Sequence, residues 1–132
     1  MGITYVTTQV FDLGKANRPY QAEFLVDTGA IDCMAPGEQL EKTGIRKERT
    51  SIYDLATYEL ANGETVEYEV GFARITILGQ ETVSQILFGP QGIEPILGVV
   101  VLENLGFVVD SGSNQLKKVA ARPLKSKFFI LQ

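Results

Sequence analysis

Extended, strand-like segments of apolar and β-branched residues run along most of the chain, and the first residues, MGITYVTTQVFDLG, alternate apolar and polar with the two-residue period of a strand. Residues 3–11 are rich in Thr, Val and Tyr, residues 14–19 (GKANRP) supply turn chemistry, and residues 20–26 resume the extended pattern, which predicts a hairpin. Asp27 follows where the second strand runs out into a loop. Residues 36–43, with Pro36 at the start and Gly44 after the end, predict a short helical turn. Two extended segments within residues 58–78 flank Ala61-Asn62-Gly63-Glu64. Asn-Gly is a strong hairpin signal because both residues tolerate positive φ, so a long projecting hairpin is expected there. Residues 81–88 and 94–97 are further strand segments, with GPQG as the turn between them. Residues 99–105, bounded by Gly98 and Gly106, predict a helix, although three consecutive valines are poor helix formers. Residues 107–110 and 115–119 flank Ser-Gly-Ser-Asn and predict one more hairpin. The tail Phe128-Phe129-Ile130-Leu131 is apolar and is expected to bury itself against a second subunit, the alternative being this chain's own core.

Composition narrows the class. With 132 residues, 45% hydrophobic and 21% charged, the chain fits one domain, spanning 1–132, that buries roughly two-thirds of its unfolded surface. A net charge of -4 without a Lys/Arg run offers no electrostatic footprint for nucleic acid. Cys33 is the only cysteine, so no intrachain disulfide forms; it is read as a small buried or half-buried thiol rather than a redox site. The first residues lack a basic, then apolar, leader pattern. The most apolar stretch, residues 96–109, is interrupted by Glu103 and Asn104 and is too short to span a bilayer. A soluble, cytoplasmic protein without a membrane partner is expected.

The residue stock then limits the chemistry. Without histidine, neither a Ser-His-Asp nor a Cys-His arrangement exists, and the usual nitrogen ligands of zinc are missing; no metal and no cofactor are expected. No phosphate-cradling glycine motif follows a strand. Carboxylate chemistry remains. Two like charges about 3 Å apart cannot both ionise, so paired carboxyls share a proton and one acts as base while the other acts as acid. FLVDTGA places Asp27 behind a buried apolar run, with Gly29 to turn the backbone and aim N–H groups at the carboxylate, Thr28 to brace the loop and small Ala30 to leave space for a substrate backbone. The plain alternative is a turn after a strand, for which Asp and Gly are ordinary residues. FVVDSGS at 107–113 echoes the motif. As a single-chain partner for Asp27, however, Asp110 would have too little chain after it to build a supporting lobe, and it reads as a hairpin turn residue.

FLVDTGA, YELANGETVEYEV, ITILGQETVSQILFGP and PILGVVVLENLGFVVD, in that order, resemble the retropepsin-like (retroviral-type) aspartic proteases over residues 20–110. The resemblance implies an all-β, closed barrel or sandwich with one short helix in the C-terminal half. It also implies a homodimer contributing one catalytic acid per protomer, and a flap hairpin over a bound peptide or protein substrate. Carried over, Asp27 is the catalytic residue, Thr28 and Gly29 support it, and Ala30, Asp32, Ala61, Asn62 and Gly63 contact substrate. Viral members often carry an acid where this chain has Ile31 and an arginine where it has Val99. Both partners are absent together, consistent with an apolar contact in place of an ion pair. The flap is not glycine-rich, and the chain beyond Asp110 is closer in character to bacterial or cellular relatives. The expected activity is aspartic endopeptidase. Two rivals are an inactive peptide-binding or assembly module of the same fold and a carboxylate glycosidase, the latter lacking a credible second acid.

Overall fold

Along the first strand Val6, Thr8 and Val10 are buried while Tyr5 and Thr7 are exposed, the alternation that the sequence pattern predicts. The computed structural model describes residues 2–48, 55–59 and 62–119. Strands β1 (Tyr5–Phe11) and β2 (Tyr20–Val26) form the antiparallel hairpin, with Tyr5 opposite Leu25 and Val10 opposite Tyr20. There follow β3 (Cys33–Pro36), helix α1 (Gly37–Lys42), β4 (Leu55–Glu59), β5 (Thr65–Ile77), β6 (Gln80–Gly89), β7 (Ile96–Leu97), helix α2 (Val99–Leu105), β8 (Phe107–Asp110) and β9 (Gln115–Lys118). The expected strand at 94–97 is thus shorter, and β3 is an addition that sequence reasoning did not single out.

The main sheet runs β1-β2-β7-β3-β6-β5-β4, and β1 also pairs with β5, from Thr8 opposite Ile77 to Phe11 opposite Arg74. That pairing closes six strands into a barrel and leaves β4 outside the ring. Closure is possible because β5 changes neighbours along its length. Residues 74–77 pair with β1, residues 65–69 pair with β4, and residues 69–77 pair with β6 on the other side. Residues 65–68 therefore pair only with β4 and carry this hairpin about 13 Å past the ring. Strands β8 and β9 form a separate two-stranded sheet.

Turn chemistry departs from expectation at one hairpin. At the tip of β4–β5, where Glu59 pairs with Thr65, Gly63 takes φ 89° and the Asn62 side-chain Oδ1 accepts the Glu64 N–H at 3.0 Å. The two-residue turn with both φ positive lies between β5 and β6, where Leu78 has φ 49° and Gly79 φ 79°. A left-handed leucine costs on the order of 1 kcal/mol. Leu78→Asn is expected to raise stability by about 0.5–1 kcal/mol in urea titration, with no change in secondary structure by circular dichroism.

The barrel interior is filled by Val10, Phe24, Ile75, Ile77, Ile86 and Leu97, all inaccessible to solvent. Several strands are apolar on both faces. Cys33 and Ala35 point into this core while Met34 points away; Ile86 and Phe88 point in while Leu87 points away; Leu97 points in while Ile96 points away. On the outer side, Val70 stands opposite Leu87, Leu87 opposite Met34, and Met34 opposite Ile96. The result is an apolar stripe across the outside of β5, β6, β3 and β7, and Tyr68 and Ile93 pack against it.

Candidate active site

The stripe ends at the Asp27 loop, which is held from three sides. Leu25 and Val26 pair in parallel with Ile96 and Leu97, and the Asp27 N–H donates to the Leu97 carbonyl at 3.0 Å, so the strand pairing positions the acid at its last rung. Within the loop, the Gly29 N–H donates to Asp27 Oδ1 at 3.0 Å and the Ala30 N–H donates to the Asp27 carbonyl at 3.0 Å. On the far side, the Val99 and Val100 N–H groups at the start of α2 donate to the carbonyls of Ala30 (2.8 Å) and Ile31 (3.2 Å). Helix α2 lacks a side-chain cap at Gly98, and these two loop carbonyls satisfy N–H groups that would otherwise lack partners. The capping, together with burial of Val101, Leu102 and Leu105, explains why a valine-rich segment is helical.

Gly98 marks where the two segments touch. A Cβ there would stand 2.4 Å from the Ile31 carbonyl oxygen and 2.5 Å from that of Asp32, so only glycine permits the approach. The Gly98 N–H meets Cys33 Sγ at 3.4 Å. Cys33 is 1% exposed, and burial pushes its thiol pKa up to about 12, so it is a core group under the loop with little thiolate character.

Beside the loop lies a cavity of about 270 Å³ lined by Gly29, Ala30, Ile31, Asp32, Met34, Tyr68, Leu87 and Ile96. Its floor is the outer apolar stripe, and Asp32, half-buried, is the carboxylate in its wall. Of the residues singled out from sequence, Gly29, Ala30 and Asp32 line this space. Asp27 is half-buried at the near end of the loop and is not part of the cavity wall; Thr28 is exposed and its hydroxyl has no partner among the described residues. Asn62 and Gly63 are exposed at the tip of the hairpin whose base carries Tyr68 into the cavity. Ala61 lies outside the described residues. Sequence reasoning missed Met34, Tyr68, Leu87 and Ile96. The available signal was the unbroken apolar runs Cys33-Met34-Ala35 and Ile86-Leu87-Phe88: a strand apolar on both faces needs a cover on each.

Asp110 shares the local geometry of Asp27 without its surroundings. The Gly112 N–H donates to its Oδ1 at 3.0 Å and the Ser113 hydroxyl to its Oδ2 at 3.1 Å. These bonds hold its carboxyl below the usual range, and it is fully exposed at the β8–β9 turn. Among the described residues, no group of three or more acidic, Cys or His side chains is arranged to hold a metal ion, and no helix is long and apolar enough to cross a membrane. No protein-family model matches the chain, and no curated protein matches it.

Proposed function

We propose that this chain is one half of a homodimeric, retropepsin-like aspartic endopeptidase, in which two copies of Asp27 share one proton and activate one water. The observation that carries the reading is the anchoring of the Asp27 loop at the end of an apolar channel that a projecting hairpin flanks. A carboxylate meant to act on a peptide needs that combination: a rigid backbone behind it and an elongated apolar surface beside it. In this reading the ionised Asp27 draws a proton from the water, the protonated one stabilises the developing oxyanion, and no covalent intermediate forms. The peptide lies extended under the hairpin, with Ala30, Asp32 and the Ala61-Asn62-Gly63 tip as its contacts. The compartment proposed is the cytoplasm.

The partner acid comes from a second copy. Ile3 is 67% exposed and Ile31 61% exposed, and the Val26 N–H donates to the Thr4 carbonyl at 2.8 Å, placing the segment after Ile3 beside the end of the Asp27 strand. Two large apolar side chains left in solvent next to one loop support burial against a like surface. The rival reading, a peptide-binding or assembly module without turnover, predicts the same surfaces and no product. Sedimentation of the active protein should give twice the 14.5 kDa of one chain. Ile31→Lys should weaken self-association about 100-fold and remove cleavage in parallel. A purely monomeric species that cleaves peptides at full rate would overturn the reading.

A further inference from the structure

We infer that Asn62 is a self-modifying site: the Gly63 backbone nitrogen attacks its side chain, a cyclic imide forms, and water opens the imide to isoaspartate or aspartate, which turns the hairpin tip acidic. The modification stands on the geometry of the tip alone. Its consequence for cleavage rests on reading the adjoining channel as a peptide site, and adds how that site changes with time.

The chain has four asparagines, and Asn62 is the one followed by glycine. A side chain on the following residue shields the attacking nitrogen; Gly63 has none, and a Cβ built there would meet nothing within 4 Å. Asn62 itself is exposed. The other three are placed differently. Asn17 precedes Arg18, Asn104 lies inside α2, whose backbone N–H groups are committed to the helix, and Asn114 precedes Gln115, which pairs with Asp110. Gln91-Gly92 also ends on glycine, but glutamine must close a six-membered ring, which is slower.

The tip is already arranged for the attack. Asn62 Oδ1 accepts the Glu64 N–H at 3.0 Å, which folds the side chain back over the intervening peptide and brings Cγ to the side of the Gly63 nitrogen. Attack at Cγ puts negative charge on Oδ1, and the Glu64 N–H is in place to receive it. At the other end of the amide, Nδ2 donates to Glu64 Oε1 at 2.5 Å, so the leaving nitrogen is held apart from the oxygen that takes the charge. The Gly63 nitrogen gives its proton to water and bonds to Cγ; the Cγ–Nδ2 bond breaks, and the nitrogen leaves as ammonia with a proton returned by water. A second water then adds to the imide. Opening at the side-chain carbonyl gives aspartate, and opening at the backbone carbonyl gives isoaspartate.

Either product adds a negative charge to a chain already at -4. The new carboxylate stands beside Glu64, where a hydrogen bond between amide and carboxylate becomes a contact between like charges. Isoaspartate also lengthens the backbone inside the turn that the Glu59–Thr65 rung closes. Both changes fall on the tip that the proposed site uses to hold its peptide.

The test incubates the folded parent protein at mildly alkaline pH and follows each asparagine by peptide mapping for a mass gain of about 1 Da, with electron-transfer fragmentation to separate isoaspartate from aspartate. Asn62 is expected to convert at least about tenfold faster than Asn17, Asn104 and Asn114, and no more slowly than in a synthetic Leu-Ala-Asn-Gly-Glu-Thr peptide. Conversion slower than in the peptide, or no faster than at the other three asparagines, overturns the assignment. Peptide cleavage is measured on the same samples and is expected to fall in step with the converted fraction. The Asn62→Gln chain, whatever its starting rate, is expected to keep that rate through the same incubation. Cleavage that stays constant while Asn62 converts, or that declines equally in Asn62→Gln, overturns the regulatory consequence. If fresh protein cleaves nothing, the peptidase reading falls, and the mass map still decides the modification.

Discussion

Asp27→Asn is expected to reduce peptide cleavage by about 1000-fold or more, while leaving the sedimentation mass and thermal midpoint within error of the parent. The two halves of this result come from different atoms. Asn retains an Oδ1 that accepts the Gly29 N–H, the 3.0 Å bond that shapes the loop, and the Ala30 N–H still reaches the carbonyl of residue 27. The fold therefore has little reason to respond. On the proposed mechanism, what is lost is the group that takes a proton from water and the group that returns one, and general acid–base assistance of this kind contributes about 100- to 10,000-fold. A steady-state assay on an apolar peptide library, with differential scanning calorimetry of the same samples, measures both. Cleavage that survives the substitution would remove Asp27 from the chemistry; cleavage lost together with the fold would leave its role structural.

Gly98→Ala is expected to be the most damaging single methyl in the protein. Its Cβ would meet two backbone oxygens, those of Ile31 and Asp32 at 2.4 and 2.5 Å, and backbone cannot swing aside as a flexible side chain can. Relief requires α2 to back away from the loop, which stretches the bonds from Val99 and Val100 to Ala30 and Ile31 and the contact between the Gly98 N–H and Cys33 Sγ. The expected loss is about 2–4 kcal/mol, seen as a thermal midpoint lower by about 10–15 °C. Cleavage by the surviving folded fraction should also fall, because the displaced loop is the one that carries Asp27. Gly14→Ala is the control: its Cβ would find nothing nearer than 3.9 Å, and its effect should stay within about 0.5 kcal/mol. Equal effects at the two glycines would mean that the loop and helix are not locked as described.

Much of the barrel was legible because its signals are local. Two-residue alternation marked β1 and β2, Gly98 and Gly106 bracketed α2 to the residue, and Ser-Gly-Ser-Asn marked the β8–β9 turn. The strands read less well where burial is two-sided. Cys33-Met34-Ala35 has no alternation to detect, since Cys33 and Ala35 face the barrel interior while Met34 faces the outer stripe. The same two-sided burial hid the channel, whose floor comes from three strands, β3, β6 and β7, that only the closed register brings together. Turn type was another limit: Asn62-Gly63 carries the stronger signal, yet the two-residue turn forms at Leu78-Gly79, where strand registry imposes positive φ on an unfavourable leucine. The echo between Asp27 and Asp110 was real at the level of local hydrogen bonding, with a glycine two residues on donating to each carboxylate. Their surroundings differ: Asp27 adjoins a channel, Asp110 an exposed turn. The helix that clamps the Asp27 loop was anticipated as an element, but its role as a backbone clamp depends on contacts between residues far apart in sequence, such as Val99 and Ala30.

Subunit mixing tests the central claim most directly, because a site that takes one carboxyl from each of two chains can be poisoned. Parent protein is equilibrated with increasing Asp27→Asn chain, and cleavage is measured per parent chain. If two copies of Asp27 form one centre, activity per parent chain falls to about one-tenth at about a ninefold excess of the variant, as parent–parent pairs become scarce. Activity per parent chain that stays constant across the whole titration would mean that each chain carries a complete site, and a shared Asp27 centre would be contradicted.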